Sequence, residues 1–381
     1  MKTQIQSAIF VEGELTSEQV EAYAKVASRL LLSKKIIAPR KVYWGLTNAC
    51  NSRCSHCYQA GGDPYPCELT TDEAFHAVDD FARNQVSFIN LSGGEPFLRP
   101  DLLDIAEYAI NKGLITTIVT NGTLIDEEKA RKMKEIGVCA VAISVDGLTA
   151  STHDTSRGVA GLFDRAMKGL KFVKEAGIPL SIRTTVTKTN IREIPGILEW
   201  SIHLGAEEFV AYEAISEGRA RSMDIAVNHS DFRNMAEELV TISRKYIEDP
   251  VSVPPGGFPH IMIPLPSGIE RKDIMSNVYR IGTRCQHMCF AGYFVGLLAD
   301  GSAYPCPLCL TPVGNIKEES IKDIFRKSPL MQKMRNRELW GTCSVCDEKE
   351  ICGGCRGKAY VRLGDPLGPD PDCPKYREED S

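Results

Sequence analysis

The chain has 381 residues, of which 43% are apolar and 25% are charged, and this composition excludes a disordered or fibrous protein. Its 45 basic and 50 acidic residues give a net charge of −5, so there is no basic excess to favour nucleic acid as a partner. No apolar run reaches the roughly 18 residues that a membrane-spanning helix needs, and the N-terminus does not resemble a signal peptide. The sequence therefore predicts a cytoplasmic protein that binds neither nucleic acid nor a membrane.

The first part of the chain is predicted to contain one helix, near residues 17–33, within an N-terminal extension over 1–40. Six segments rich in apolar and β-branched residues then alternate with amphipathic helices, including those near 101–112 and 162–176. The six predicted strands are 42–47, 87–92, 115–120, 139–144, 180–186 and 208–213. This alternation predicts an α/β core over 41–217 with a parallel sheet and right-handed crossovers, and leaves open whether the sheet closes.

The sequence changes character after the sixth strand. Residues 218–280 contain a predicted helix near 230–247 and then a proline-rich stretch that we interpret as an extended connection. Residues 281–381 are rich in Cys, Gly and Pro and are predicted to form a small domain that is held by metal rather than by a large apolar core. Disulfides are rare in the cytoplasm, so the fourteen cysteines, twelve of them in two groups, also favour metal.

The first cysteine group follows the first predicted strand as a C-x₃-C-x₂-C run of Cys50, Cys54 and Cys57. Loops at the carboxyl ends of parallel strands are where α/β folds place chemistry. Three thiolates this close can hold three irons of a [4Fe–4S] cubane, which leaves the fourth iron open to a ligand unless a distant cysteine completes it. The alternatives are structural zinc bound together with His56, and cysteines that only pack.

This run, with an aromatic residue directly after it, resembles the hallmark of the radical S-adenosylmethionine (SAM) enzymes. Residues 92–96, Ser-Gly-Gly-Glu-Pro, resemble the GGEP segment of that family, where two glycines allow close approach to a ligand and a carboxylate suits the SAM ammonium. Segments 144–147 and 153–158 resemble its ribose-contacting segment and the segment whose arginine reaches the SAM carboxylate. The resemblance implies that SAM is bound by Tyr58, Ser92, Gly93, Gly94, Glu95, Asn121, Ser144, Asp146 and Arg157.

The resemblance also implies a fold and a reaction. The expected fold is a partial (β/α)₆ barrel with a small Cys-rich cluster-binding domain at its C-terminus. The expected reaction is reductive cleavage of SAM, at a cluster held by the catalytic Cys50, Cys54 and Cys57, into methionine and a 5′-deoxyadenosyl radical that abstracts hydrogen from a substrate. The cofactor then does the chemistry while the protein positions it and excludes water.

The second cysteine group has nine members between 285 and 373, and its spacing is too compressed for a usual zinc ribbon. Its order resembles the SPASM domain, which carries two auxiliary [4Fe–4S] clusters and would bring the total to three. The family pattern assigns the outer cluster to Cys343, Cys346, Cys352 and Cys373. It assigns the inner cluster to Cys289, Cys306 and Cys355, with Cys285 favoured over Cys309 as the fourth ligand. A two-zinc domain and partial cluster occupancy are the alternatives.

The sequence is compatible with two classes of substrate. Residues 352–374 resemble a SPASM subset that includes enzymes acting on haem precursors and maturases of peptide-derived cofactors. Residues 1–40 are too short for a leader-peptide module, which favours a tetrapyrrole over a peptide, and Arg219, Arg221 and Arg284 are candidate partners for its carboxylates. A low-potential donor such as ferredoxin or flavodoxin is expected to supply the electron. The alternative from another class is a non-catalytic iron–sulfur electron carrier.

Overall fold

The computed structural model describes residues 36–246, 260–265, 289–350 and 352–377, so the predicted helix near 17–33, Cys285 and Arg284 lie outside the described residues. The first six strands confirm the six predicted ones, and three of them begin and end where predicted. The strands are β1 Lys41–Gly45, β2 Phe88–Ser92, β3 Ile115–Thr120, β4 Ala140–Ser144, β5 Leu180–Val186, β6 Glu208–Glu213, β7 His260–Pro264, β8 Val295–Leu297, β9 Ser302–Tyr304 and β10 Gly314–Asn315.

All ten strands join one mixed sheet in the order β10-β9-β8-β1-β2-β3-β4-β5-β6-β7. Strands β1 to β6 pair in parallel in sequence order, which confirms the predicted parallel sheet. Strand β7 lies in the stretch predicted as a connection and pairs antiparallel with β6, with Tyr212 opposite His260. On the other side, β8 pairs in parallel with β1, so the C-terminal region extends the sheet of the core.

Helices fill the crossovers, as the amphipathic segments predict. The sequence Thr70-Thr71-Asp72-Glu73 predicts a capping box at the start of the first crossover helix, and it is present, because the Thr70 side chain accepts from the Glu73 N–H while the Glu73 carboxylate accepts from the Thr70 N–H. The helices are α1 Thr71–Arg83, α2 Leu102–Asn111, α3 Glu127–Ile136, α4 Ala150–Arg157, α5 Leu162–Glu175, α6 Ile194–Leu204, α7 His229–Ser243, α8 Ile321–Lys327, α9 Pro329–Asn336, α10 Thr342–Val345 and α11 Arg356–Leu363. Within the described ranges, no helix is long and apolar enough to cross a membrane.

The sheet curls around a lumen. In a flat sheet, β1 and β6 would lie about 24 Å apart, because five spacings of about 4.8 Å separate them. Burial is the main cause that raises the pKa of Tyr212 on β6 to about 12, and Tyr43 on β1 is close enough to raise it further. The two strands are therefore closer than a flat sheet would allow. Alternate strand residues such as Trp44 and Ile182 pack under the helices in the main core. The side chains between them face the lumen, since successive strand residues point to opposite faces.

The C-terminal region has little apolar core of its own. Its separate cluster of fully buried residues consists of Ala291, Cys309 and Met334, with a few half-buried neighbours that include Cys289 and Cys306. Helix α9 contributes Met334 to this cluster, whereas Ile321, Ile324 and Phe325 of α8 belong to the main core, and the Ile321 N–H donates to Asp80 of α1. Such a small core agrees with the prediction that this region relies on metal for its folding.

Candidate functional site

The first three cysteines lie on the segment between β1 and α1, here called the Cys loop (residues 46–62). The Ser52 hydroxyl lies 3.1 Å from Cys50 Sγ and 3.5 Å from Cys54 Sγ, so one side chain touches two of the sulfurs. The Gly61 N–H donates to Cys57 Sγ at 3.4 Å. Burial raises the pKa of Cys50 and the Ser52 contacts counteract it. Metal cations bind the thiolate form of cysteine, so the binding of a metal at Cys50 would release the proton of its thiol.

The Gly93–Glu95 segment holds the Cys loop from one side. The Gly94 N–H donates to Thr47 O and the Glu95 N–H donates to Ala49 O, both at 2.7 Å. A Cβ on Gly94 would lie only 2.3 Å from Ala49 O. Glycine is thus required at 94, where the Gly93–Glu95 backbone approaches the backbone of the Cys loop. The predicted close approach of a ligand to these glycines stays a prediction.

The Glu95 carboxylate is fully buried and is bound within the protein. It accepts from Thr120 Oγ1 at 2.7 Å, from the Asn121 N–H at 2.8 Å and from the Phe97 N–H at 3.2 Å. Burial raises the pKa of Glu95 to about 6, although these hydrogen bonds oppose the rise. The side chain therefore ties the turn after β2 to the end of β3, and its expected meeting with the SAM ammonium stays a prediction.

The far side of the Cys loop is held by the C-terminus of α4. The Arg53 N–H donates to Arg157 O at 2.8 Å and the Ser55 N–H donates to Ser156 O at 3.0 Å. Gly158 has a φ of +71°, and a Cβ there would lie 2.4 Å from Arg53 O. This close contact and the left-handed backbone both require glycine at 158.

A third anchor follows β6. The Arg219 N–H donates to Cys57 O at 2.9 Å, and its guanidinium donates to Cys54 O at 3.1 Å and to Gly61 O at 2.7 Å. Arg219 therefore binds the Cys loop, and its guanidinium is committed to carbonyls rather than available as the predicted partner of a substrate carboxylate. Arg221, the second arginine of that prediction, is largely exposed and pairs with Glu217.

Asp146 and Arg157 form a buried ion pair behind the cysteines. Arg157 Nε lies 2.7 Å from Asp146 Oδ2, and Arg157 Nη1 lies 3.7 Å from Cys54 Sγ. Burial opposes the charged form of Arg157, but the Asp146 carboxylate outweighs it and raises the arginine pKa. Asp146 also accepts from the Thr185 N–H at 2.9 Å and is fully buried. Its carboxylate is thus bound by protein donors, and its predicted ribose contact stays a prediction.

The histidine of the zinc alternative faces away from the sulfurs. His56 Nδ1 lies 3.3 Å from the Ser156 hydroxyl and His56 Nε2 lies 3.6 Å from Asp146 Oδ2. Burial lowers the pKa of His56 to about 4, although the Asp146 carboxylate opposes the shift, so the ring is neutral near pH 7. Because both ring nitrogens are engaged elsewhere, a zinc site made from the Cys loop with His56 is disfavoured.

The remaining predicted SAM-binding residues lie at the carboxyl ends of the strands. Ser92 and Ser144 are the last residues of β2 and β4 and are half-buried. The Asn121 side chain donates to Asn51 Oδ1 on the Cys loop at 2.7 Å. Tyr58 is half-buried beside both Cys57 and Cys306, and desolvation, reinforced by these thiols, raises its pKa. Tyr58 therefore lies between the first cysteine group and the second.

The four cysteines predicted for the outer cluster line one cavity in the C-terminal region. Arg356 Nη2 lies 3.7 Å from Cys343 Sγ, and Lys375 Nζ lies 3.8 Å from Cys346 Sγ. Two cations next to the sulfurs would compensate the negative charge of thiolates and of an iron–sulfur core, so the cavity fits an anionic cluster. The cavity-lining cysteines are Cys343, Cys346, Cys352 and Cys373.

Three of the cysteines predicted for the inner cluster lie within the described residues, and they are close to one another. Burial raises the pKa of Cys306 well above its ordinary value, and Cys289 and Cys355 are close enough to raise it further. Cys309, fully buried, lies beside the same group and its thiol is 3.8 Å from Thr311 Oγ1. The fourth ligand of this cluster remains a prediction, because Cys285 lies outside the described residues.

A buried lysine that the sequence did not reveal joins this region to the core. Lys358 Nζ lies 2.5 Å from the Glu213 carboxylate at the end of β6 and 2.7 Å from Asp372, beside Cys373. Both carboxylates also lie within 4.8 Å of His229, in a geometry that could hold a metal ion. The ammonium of Lys358 already supplies the positive charge there, so these three residues do not form a separate metal site.

Comparison with known proteins gives consistent matches. Residues 44–201 match the model of the radical SAM superfamily, and residues 289–347 match that of an iron–sulfur cluster-binding domain, SPASM. The chain is 34% identical over 340 residues to an AdoMet-dependent heme synthase of Methanosarcina barkeri, covering 88% of this chain and 96% of that protein. It is 28% identical over 350 residues to a mycofactocin maturase of Mycobacterium tuberculosis, covering 90% of this chain and 84% of the maturase.

The fold is shared with a solved structure, Streptococcus suis SuiB bound to S-adenosylmethionine. The two structures have a TM-score of 0.69 and 18% sequence identity, and the match covers 94% of this chain and 82% of that chain. Together with the Cys loop, the curled parallel sheet and the second cysteine group, these matches confirm the predicted family. The chain belongs to the radical SAM superfamily and is an enzyme of that superfamily with a C-terminal SPASM iron–sulfur domain.

Proposed function

We propose that this enzyme cleaves SAM at a [4Fe–4S] cluster held by Cys50, Cys54 and Cys57 and uses the resulting radical to modify a side chain of a tetrapyrrole. The observation that carries the proposal is the position of these cysteines on a preformed loop at the mouth of a lumen with aromatic walls. When bound and reduced, the cluster supplies the electron that splits SAM into methionine and a 5′-deoxyadenosyl radical. The chain's own residues bind, orient and shield the reactants.

The proposed SAM site uses the groups that flank the Cys loop. Arg157 is rigidly placed beside Cys54 and offers a guanidinium that suits the SAM carboxylate. Asp146 is a positioning residue, because its ion pair fixes the orientation of Arg157. Ser144, at the lumen end of β4, is in position to bind a hydroxyl of the ribose. The hydrogen bonds of the Gly93–Glu95 segment keep the loop in place, which reduces the ordering required when SAM binds.

The lumen walls favour a flat aromatic substrate. Tyr43, Tyr58 and Tyr212 lie near one another at the mouth, and the Phe294 ring packs against Tyr43 with 5.1 Å between ring centroids. The Tyr43 and Phe294 rings meet edge to face, and a cluster of aromatic side chains offers apolar surface to a porphyrin ring. The similarity to an AdoMet-dependent heme synthase, an enzyme of tetrapyrrole chemistry by its name, supports the same substrate class.

We propose two auxiliary [4Fe–4S] clusters in the C-terminal region, with ligands as predicted from the sequence, and a ferredoxin or flavodoxin as electron donor. Tyr58 lies beside both Cys57 and Cys306, so a substrate at the lumen mouth would sit between the first and the inner cluster. Cys289, Cys306 and Cys355 would hold the inner cluster, and that cluster would supply an acceptor for the electron that oxidation of the substrate releases. Three cubanes predict about twelve irons per chain.

The direct test uses anaerobically reconstituted enzyme with dithionite, SAM and iron coproporphyrin III, a porphyrin that carries four propionates. We expect 5′-deoxyadenosine to form in proportion to a porphyrin product of changed mass. Full cluster content without any deoxyadenosine would contradict the catalytic proposal and leave an electron carrier. About two zinc ions and no iron per chain would contradict it as well.

The second candidate substrate is a ribosomally made peptide. It is favoured by the 28% identity to the mycofactocin maturase. The same assay separates the two candidates when a precursor peptide replaces the porphyrin, since the mass change then falls on the peptide. Deoxyadenosine coupled to peptide modification, with an unaltered porphyrin, would overturn the tetrapyrrole proposal and keep the radical SAM chemistry.

A further inference from the structure

Two buried arginines flank the turn Cys352–Cys355 in the C-terminal region, one beside each of its glycines. Arg337 is 2% exposed and Arg356 is fully buried. A Cβ on Gly353 would lie 2.5 Å from Arg337 Nη1, and a Cβ on Gly354 would lie 2.6 Å from Arg356 Nη2. Glycine at both positions therefore lets a guanidinium group lie directly against a turn whose two ends carry predicted cluster ligands.

Arg337 has few partners for a buried cation. Its Nη2 donates to Cys289 O at 3.0 Å, while Nε and Nη1 are buried without a hydrogen-bond partner among the described residues. The guanidinium lies over the ring of Tyr293, 5.9 Å from its centroid, and pairs with no carboxylate in the described ranges. The residue directly follows α9 with a φ of +55°, a left-handed conformation that is uncommon outside glycine. A charge buried in this way normally needs a counter-charge.

Arg356 directs its charge at a sulfur. Its Nε and Nη1 donate to backbone carbonyls of the turn and of residues 366–368, and its Nη2 lies 3.7 Å from Cys343 Sγ. Asp370 is close enough to interact with Arg356, but its carboxylate accepts from the Cys355 N–H at 2.8 Å. No ion pair forms between Asp370 and Arg356, both of which the structure describes. The carbonyls thus orient the guanidinium without neutralising it.

The expected effect of such cations is on the reduction potential. A [4Fe–4S] cluster with thiolate ligands is anionic, and one-electron reduction adds a further negative charge to it. A nearby cation stabilises the reduced cluster more than the oxidised one, so it raises the potential. The effect is largest where water does not screen the charge. Lys375 provides the comparison, because its Nζ lies 3.8 Å from Cys346 Sγ while its side chain is 49% exposed.

We propose that Arg356 raises the reduction potential of the outer auxiliary cluster and that Arg337 raises that of the inner one. The inference rests on the proposed function. The assignment follows the contacts, since Arg356 touches the sulfur of Cys343 and Arg337 donates to the carbonyl of Cys289. In the proposed reaction the substrate radical loses one electron and the inner cluster gains it, after which the outer cluster can take it on. Both arginines therefore make removal of this electron more favourable.

The test is an anaerobic redox titration followed by electron paramagnetic resonance. It uses the full chain with the three Cys-loop cysteines replaced by Ala, so that only the two auxiliary clusters contribute. We expect Arg356→Met to shift one of the two midpoint potentials to a more negative value, and Arg337→Met to shift the other, because each change removes a buried positive charge. The variant that carries both changes should shift both midpoints.

Two controls separate buried charge from charge in general. Lys375→Met should shift the same midpoint as Arg356→Met but by less, because solvent screens the lysine. Arg131→Met removes an exposed arginine on α3 and should shift neither midpoint. A shift from Lys375→Met as large as that from Arg356→Met would contradict the role of burial.

The lysine variants keep the test decisive. Arg337→Lys and Arg356→Lys retain the charge, so their midpoints should stay closer to the original values than those of the methionine variants. A methionine variant that loses its cluster supports the inference if the lysine variant keeps it, and overturns it if the lysine variant loses it as well. Unchanged midpoints, or one midpoint lowered by both single changes, would overturn the inference alone. If the chain with both arginines intact bound no iron in its C-terminal region, the proposed auxiliary clusters themselves would be refuted.

Discussion

The Cys loop and the C-terminal cysteine region are held in different ways. The loop is fastened by backbone hydrogen bonds to three elements of the core, and glycines at 94, 158 and 218 permit these close approaches. The C-terminal region has a small apolar core and depends on charged side chains such as Arg356 and Lys358 around its cysteines. The comparison indicates that the first site is preformed before metal binds, whereas the second is completed by its metal.

The largest effect on SAM cleavage is expected when the cysteines of the first site alone are replaced. The triple variant Cys50→Ala, Cys54→Ala, Cys57→Ala should lose all SAM cleavage, while iron falls from about twelve to about eight per chain because one cubane is lost. Because the loop is held by backbone bonds, the thermal unfolding of the core should be little changed. The measurement is deoxyadenosine by chromatography together with iron analysis and calorimetry. Deoxyadenosine from this variant would show that the site is assigned wrongly.

The corresponding change in the second region should affect folding instead. Cys343→Ala removes a sulfur that lines the C-terminal cavity and contacts Arg356. We expect residues 289–377 to become sensitive to limited proteolysis, because a metal site in a small core supplies folding free energy. Cys67→Ala, at an exposed cysteine, is the matched control and should be neutral. Equal protection of both variants would contradict the proposed dependence on metal.

Lys358 tests the connection between the two regions. Lys358→Met leaves the buried Glu213 and Asp372 carboxylates without their shared cation, and we expect a loss of about 3–5 kcal/mol in the free energy of unfolding. Lys171→Met removes an exposed ion pair with Glu175 and should cost about 0–1 kcal/mol. Denaturant titration of both variants gives the comparison. Equal effects would mean that the buried network does not hold the regions together.

Gly94 gives a smaller and more local effect. In Gly94→Ala the new Cβ meets Ala49 O, so the Cys loop must shift, at a cost of about 1–3 kcal/mol and with reduced SAM cleavage. Gly113→Ala meets nothing within 4 Å and has only the strain of a φ of +85°, about 1 kcal/mol. Stability and deoxyadenosine yield are measured together. If Gly113→Ala lowered SAM cleavage as much as Gly94→Ala, the steric explanation would fail.

The smallest expected effect on catalysis comes from Asp146. Asp146→Asn keeps the shape of the side chain but removes the charge that orients Arg157. We expect the KM for SAM to rise several-fold with little change in kcat, because a positioning residue acts through binding. Steady-state kinetics with varied SAM gives the split. A fall in kcat at unchanged KM would instead indicate a role in the chemical step.

Much of the architecture could be predicted from local sequence. Continuous apolar runs identified the six parallel strands, and the Thr70–Glu73 pair identified the start of α1, because both signals act over a few residues. Strand β7 was missed because prolines surround its short run, and prolines are typical of connections.

The sequence predicted the cysteines of the site better than it predicted the side chains that surround them. The cysteine spacing is local, but Arg219 reaches the Cys loop across 158 to 165 residues of sequence, and Lys358 reaches Glu213 across 145. The hydrogen bonds that Glu95 accepts from Thr120 and Asn121 come from a neighbouring strand end and were not predicted, while its meeting with the SAM ammonium stays a prediction. Such contacts depend on which strands become neighbours, and a single sequence does not reveal the partner of a buried charge.

The pairing of β1 with β8 has a consequence for biosynthesis. Strand β1 begins at Lys41, yet the strand that covers its edge begins at Val295. While the ribosome makes the intervening residues, that edge stays unpaired and accessible to other chains. The Cys loop follows β1 directly, so its flank stays accessible for the same interval. The sheet of the nascent chain can therefore be completed only after the last quarter of the sequence has begun to emerge.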